Sequence, residues 1–542
     1  MFQMMTKILR FRFCWLLFVL VVSSSAQVVD AQSTGDVPPG LLQLTGSGAC
    51  DSILPELAAR PGGGFAAAWL DGQLDGEPSH QVHARLFDRH GARIGAEVAV
   101  GDPDAQILGP RLAVAPSGRT AVGWLESGQT RVQLLDEQGN RLGPVLDLGG
   151  PAPELIGGLE FPLGWPEFFD LVSAPDGGFL ALWQHFTTHA ARIGEDGGFE
   201  RIDPPEDPPA GSPLIQSPSF RAAVHPDGRL WWVEHVDLPT SPPSSILRVY
   251  RTPLEGPDAF ERELLFEDGS FNHEEVGISI DAQGEVAVAW IEGSGVFFQR
   301  FRADGQTVGA SVLVAQGSFT TSPRLDLYNL DLATDGEGNL ALTWGRSTLV
   351  EVGAGIASTA LFVQGFGANG SALGPARQVA TVPFDRLLSP RVAVSGPGEV
   401  TVAWWHETIP LILPPPCSFS ETIFARRLPL AGATTLLLKD GRFRVEVAWQ
   451  DPFHGGSGVG RALQDSTDSG GFWFFDPANR ELTVKVIDGR PINGRFWFFY
   501  GALSNVGYQI TVTDQRTGRE RTYENPPGKL GSFADTFTFP GD

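Results

Sequence analysis

One phrase recurs along this chain, and each copy ends in tryptophan. VAPSGRTAVGW covers 114–124, SAPDGGFLALW 173–183, VHPDGRLWW 224–232, IDAQGEVAVAW 280–290 and VSGPGEVTVAW 394–404. Each copy reads as a tight turn followed by an apolar strand. The terminal tryptophans are Trp69, Trp124, Trp183, Trp232, Trp290, Trp344 and Trp404, about 56 residues apart on average. A small sheet of short strands cannot bury both of its faces alone, so the copies must stack on one another.

The unit is clearest at 109–148, GPRLAVAPSGRTAVGWLESGQTRVQLLDEQGNRLGPVLDL. Period-two alternation predicts strands at Arg111–Ala115, Thr120–Leu125, Arg131–Asp136 and Leu142–Leu148, with turn residues between the pairs. Seven units of four strands predict an all-β fold, a seven-bladed β-propeller over 39–430. The repeat tryptophans are assigned to packing between blades. Blade seven supplies only Arg391–Ser395, Glu399–Trp405 and Thr422–Arg427, and the pattern GLLQLTGSG at 40–48 matches an outer strand. Leu41–Leu44 is therefore expected to complete the last blade, leaving no open sheet edge.

Lys7, Arg10 and Arg12 precede an apolar run from Phe13 to Val22 and the small residues Ser23–Ala26. That order predicts a signal peptide over 1–26, with cleavage as late as Ala31, and a protein that is secreted or periplasmic. No later run reaches about 18 apolar residues, so no membrane span is expected. Without residues 1–26 the chain has 36 basic and 63 acidic residues. Residues 27–430 carry a net charge of −26 and no lysine, whereas 431–542 are nearly neutral with 12 basic and 13 acidic residues. So acidic a surface repels phosphate backbones, which argues against nucleic acid as a partner. Beyond the signal peptide only Cys50 and Cys417 remain. In an oxidising compartment they are expected to pair, on loops of one propeller face in adjacent blades; two free thiols are the alternative.

From Ala431 the pattern changes to longer strands such as LLLKDGRFRVEVAWQ (436–450), LTVKVIDG (482–489) and YQITVTDQRTGRERTYENP (508–526). Six to eight strands are expected here, in a small antiparallel β-sandwich or barrel over 431–542. Phe472–Phe475 and Phe496–Tyr500 place rings on both strand faces, mostly for the core; an outward Trp473 or Trp497 could form a glycan platform. The string GRFRVEVAWQ … SGGFWFF … FWFFYGALSNVGYQITVTDQRTGRERTYENP resembles an uncharacterised C-terminal module of secreted proteins from Acidobacteria and related soil bacteria. The repeats are similar to bacterial extracellular propeller repeats of unassigned ligand. Such modules carry a cysteine pair flanking their first strand; Leu437 and Leu438 stand there in this chain, which leaves Cys417 available for Cys50. The resemblance implies export and a surface role.

Motifs for a serine nucleophile, a phosphate loop or a zinc helix do not occur. His185 and His189 are four apart on a strand-like segment, where that spacing does not converge on a metal, and His80 and His83 are no better placed. No metal or cofactor is expected. What remains is a ring of polar residues just past the repeat tryptophans: Asp71, Glu126, His185, Glu234, Glu292, Arg346, and His406 with Glu407. The loops that open the inner strands add Trp165, Glu167, Asp170, His273, Glu274, Asp385 and Arg386. The candidate ligand-binding residues are His185, Glu234, Glu292, Arg346, His406 and Glu407, on one face over the central channel. The expected function is binding or scaffolding of a polysaccharide or other surface ligand without catalysis. The alternative is a carbohydrate-active hydrolase or lyase using carboxylates and a histidine of that face.

Overall fold

The fold is described from a computed structural model covering residues 41–541, apart from 46–51, 72–80, 90, 106, 151–153, 157–158, 162–167, 186, 203–218, 239–243, 255–261, 269–272, 319–323, 350–355, 397–398, 409–420, 430–433, 440, 454 and 476–478. The signal-peptide segment, Cys50, Cys417, Trp165 and Glu167 lie outside the described residues. Seven four-stranded antiparallel sheets, the blades, follow in chain order. Their inner strands are Ser52–Ala59, Ile107–Val114, Phe168–Ser173, Ser219–Val224, His273–Ile280, Arg324–Thr334 and Arg386–Gly396. Each touches the inner strand before and after it, and the seventh touches the first. The sheets thus form a closed ring, a β-propeller.

The strand Leu41–Gln43 closes blade seven. It pairs antiparallel with Glu421–Pro429, Leu41 opposite Arg426 and Gln43 opposite Phe424, and Leu44 N–H donates to the Ile423 carbonyl at 3.0 Å. Inner strands begin earlier than alternation predicted. In blade two the strand opens at Ile107, and its register slips between Leu108 and Arg111, across Gly109-Pro110. Comparable slips precede Glu56, Val276, Leu330 and Arg391. A bulge of this kind breaks the alternation by one residue and re-aims the side chain that follows.

The core of the ring lies in its seams. Trp124 packs with Ala66, Val82 and Leu86 of blade one, and Trp404 with Leu361 and Val363 of blade six. Trp69 packs with Ala393, Ala403 and Ile423 of blade seven. The repeat tryptophans fill the seam with the preceding blade, six of them at one register position. In blade four Glu234 holds that position, opposite Phe220 as Trp183 is opposite Phe169, and Trp232 lies two residues before it. Six of the seven also stack or tilt against a ring opposite on the third strand, Trp69 on His83, Trp183 on His189, Trp232 on Tyr250, Trp290 on Phe297, Trp344 on Phe362 and Trp404 on Phe424, whereas Trp124 stands opposite Arg131.

After blade seven come ten strands, more than the six to eight expected, in two five-stranded antiparallel sheets. One holds Thr435–Leu438, Phe443–Gln450, Gly507–Asp514 and Arg519–Asn525, with the short Ser457–Val459 at its side; the other holds Arg461–Gln464, Ser469–Trp473, Leu482–Gly489, Arg495–Ala502 and Ser532–Pro540. One core, including Leu436, Val445, Phe472, Val484, Phe498 and Ile510, joins them face to face. Gly40–Asp542 is one compact unit, in which Arg377 donates to Gln464 at 3.2 Å and Arg461 lies 3.9 Å from Glu337.

Candidate functional site

The polar residues past the tryptophans do not gather at one point. A residue two positions along a strand stays on the same face. Where it is described, the polar side chain of a Trp-x-polar triplet therefore lies on its tryptophan's side of the strand, toward the seam. Trp124 Nε1–H donates to Glu126 at 3.0 Å, and Trp290 Nε1–H to Glu292 at 3.4 Å. Glu126 also accepts the Asp102 N–H at 3.0 Å and lies 3.6 Å from Arg131. Asp71 lies 3.8 Å from His83, the ring stacked on Trp69. The Arg346 guanidinium sits 4.5 Å over Phe362, extending the Trp344 stack. Glu234 is buried; burial raises its carboxyl above the usual range, against the pull of Arg262, Arg248, Tyr250 and Trp232. His185 ends its strand opposite Thr187, and its side chain lies outside the described residues, as do those of His273 and Glu274. At Asp71, Glu126, Glu292 and Arg346 the polar group thus meets the ring or charges of its own blade.

One corner does bring expected residues together. Where the outer strand of blade six, Arg377–Pro383, turns into the inner strand of blade seven, His406 Nε2 lies 3.1 Å from Asp385 Oδ2. The next residue, Arg386, donates to Glu407 at 3.4 Å. Before them stands Phe384, which sequence reasoning missed. It is 63% exposed and has φ +64°. A side chain other than glycine, held in the left-handed region with its ring in water, costs about 1–3 kcal/mol, and such strain collects at ligand sites. The corner is braced from behind: Thr359 Oγ1–H donates to the Asp385 carbonyl at 3.0 Å, and Tyr328 O–H to the Leu387 carbonyl at 2.8 Å.

A second charged constellation was missed altogether. At one register position the inner strands carry Glu56, Arg111, Asp170, Arg221, Asp331 and Arg391; in blade five Gly277 takes that position and Glu275 stands two residues earlier. Of these, only Asp170 was singled out, as a face residue; it is instead buried on its inner strand, accepting the Ala222 N–H of the next blade at 2.9 Å. Glu56 Oε1 accepts from Arg111 Nη1 at 3.0 Å and from Arg391 Nε at 3.2 Å, joining blades one, two and seven. Burial opposes the charge on Glu56, but Arg391, Arg111 and Arg221 outweigh it and hold the carboxyl below its ordinary range. The recurring signal was the proline before the charge in LPEL, GPRL and SPRV.

Among the described residues no group of three or more histidine, cysteine, aspartate or glutamate side chains is placed to hold a metal ion, and no helix is long and apolar enough to cross a membrane. His189, weighed as a metal partner of His185, is stacked on Trp183. Neither of the tryptophans weighed as a glycan platform is wholly free: Trp497 lies against Gly489 with Nε1–H donated to Asn493 Oδ1 at 2.9 Å, and Trp473 is half-buried.

No protein-family model and no curated protein matches the chain. Among solved structures it is similar to a protein of unknown function from Dyadobacter fermentans DSM 18053, at 11% identity over 72% of this chain and 100% of that one, TM-score 0.42. It is also similar to AofleA from Arthrobotrys oligospora (12%, 67% and 96%, TM-score 0.38) and to an alpha-L-arabinanase from Penicillium chrysogenum complexed with arabinobiose (11%, 59% and 92%, TM-score 0.35).

Proposed function

We propose that this is an exported, non-enzymatic binding or scaffolding protein that engages a polysaccharide or other surface polymer through its propeller. The observation that carries the reading is the blade six–blade seven corner. An exposed ring in a strained backbone conformation stands beside two hydrogen-bonded polar pairs, His406–Asp385 and Arg386–Glu407. A flat aromatic face suits the C–H face of a pyranose, and the flanking groups suit its hydroxyls. Retention on insoluble plant, fungal and bacterial polysaccharides tests this. Phe384→Ala and His406→Ala should each lower retention about tenfold, the loss of one good contact worth roughly 1.4 kcal/mol. Undiminished retention in both variants, with loss on Trp497→Ala, would move the function to the C-terminal sheets.

Export belongs to the same proposal, supported by the charged and apolar N-terminal segment and by the resemblance of the last 112 residues, 431–542, to a module of secreted soil-bacterial proteins. It includes a Cys50–Cys417 bridge. Non-reducing peptide mapping of the exported protein should recover the linked pair, and two alkylatable thiols would exclude it. A second reading has one observation in its favour. The raised carboxyl of Glu234 has the character of a general acid, as the alternative of a carbohydrate-active enzyme requires. Bond cleavage in a polysaccharide that is abolished by Glu234→Gln would favour that reading over pure binding.

A further inference from the structure

Blade four departs from the pattern of its neighbours in the seam it shares with blade three. Residues paired across strands share a sheet face, so each row of partners can be followed from the inner strand outward. The row reads Phe169, Trp183 and His189 in blade three, Val276, Trp290 and Phe297 in blade five, and Leu330, Trp344 and Phe362 in blade six. In blade four it reads Phe220, Glu234, Arg248 and Glu267. The indole has moved one step down the same face: Trp232 stands opposite Ala222, where blade three sets Ala181 opposite Leu171. An aromatic side chain buries roughly 150–250 Å², which the carboxyl forgoes. Burying that carboxyl costs free energy besides. The exchange weakens the seam, so its reason lies outside the packing of the fold.

The groups around Glu234 point to that reason. Tyr250 tilts on Trp232 with centroids 5.3 Å apart, and Arg262, just before the outer strand Glu263–Asp268, lays its guanidinium 5.4 Å over the same indole. Arg248 and Arg251 of this blade are each bound to a glutamate, at 2.8 and 2.6 Å. Arg262 is exposed; among the described residues no hydrogen bond or ion pair occupies it, and it acts on Glu234 through space. We propose that the seam between blades three and four is a second binding site, separate from the Phe384 corner, for the carboxylate of an acidic saccharide. Arg262 takes the carboxylate, and the Tyr250 hydroxyl and Glu234 carboxyl serve it and the adjoining sugar hydroxyls. A guanidinium already seated on a ring suits a planar carboxylate, which it binds through two parallel N–H bonds. The Glu234 carboxyl, raised by burial, keeps its proton more readily than an exposed glutamate, and an arriving anion raises it further, so that it donates rather than repels. The net charge of −26 over residues 27–430 holds off a long polyanion, so the ligand is a short oligosaccharide or a chain end.

Titration calorimetry with trigalacturonate and with neutral galactotriose tests this. The parent should bind trigalacturonate, and bind galactotriose at least about tenfold more weakly. Arg262→Ala removes one charge-assisted contact and should weaken trigalacturonate binding about tenfold, with little change in melting temperature because the side chain is exposed. Glu234→Trp puts the indole of the other six blades into the row and should abolish binding. Should that variant not fold, Arg262→Ala decides alone. Equal affinity of the parent for the two trisaccharides, equal affinity of parent and Arg262→Ala for trigalacturonate, or no binding of trigalacturonate by the parent would each overturn the proposal. So would binding that survives Arg262→Ala and is lost in Phe384→Ala, which would place the acidic sugar at the corner of blades six and seven.

Discussion

Two rings of polar side chains run round this propeller, one on the inner strands and one two residues beyond the repeat tryptophans. Six blades contribute a charge to the inner ring, Gly277 standing there in blade five, and in blade four Glu234 takes the place that tryptophan holds in the others. On the inner strands the partners lie in other blades: Glu56 binds Arg391 across 335 positions of sequence, and Asp331 accepts a proton donor from blade seven. Beside the tryptophans the partners are local, as with Glu126 and Trp124 two residues apart. The inner ring therefore ties separate blades together, one, two and seven through Glu56, whereas the outer one trims single seams. Polar character at homologous positions does not by itself mark a ligand site; what each group is bonded to decides its role.

The comparison can be broken by substitution. Glu56→Ala leaves the Arg111 and Arg391 guanidiniums facing each other without their shared acceptor, in a site where the carboxylate is only 14% exposed. It should cost about 3 kcal/mol, the range for removing one partner of a buried ion pair, and should weaken the closure of blade seven on blade one. Because Glu56 is depressed in the native state, its contribution should also vanish as pH falls below the ordinary glutamate range, near 4. Glu126→Ala strips one indole N–H of its acceptor and should cost about 1 kcal/mol. Urea unfolding of both variants checks the order. Equal losses, or a larger one at Glu126, would mean that the inner ring couples no more than the outer one does.

Much of this fold could be read from the chain, because the repeat tryptophan, the turns and the alternation are local signals. The completion of blade seven by Leu41–Gln43 was legible from the leftover outer-strand pattern. The inner ring was not. Its prolines and charges stand in LPEL, GPRL and SPRV, but bulges beside them break the alternation that would have placed them in strands. The face residues were seen, but their local contacts were not. Glu126 and Glu292 follow Trp124 and Trp290 by two, and period two returns a side chain to the seam rather than to the open face. Phe384 carried no signal in a single sequence, since its left-handed backbone and exposure arise only from the junction of two blades.

The corner at Phe384 contrasts with both rings, because its strain serves neither a seam nor the axis. Glycine adopts φ +64° without penalty. Phe384→Gly should therefore stabilise the protein by about 1 kcal/mol if the phenylalanine is kept for a ligand rather than for the fold. The decisive measurement is urea unfolding and polysaccharide retention on the same preparations of the parent and Phe384→Gly. The account predicts higher stability together with retention reduced about tenfold. Lower stability with unchanged retention would make Phe384 a packing residue and contradict the placement of the ligand at this corner.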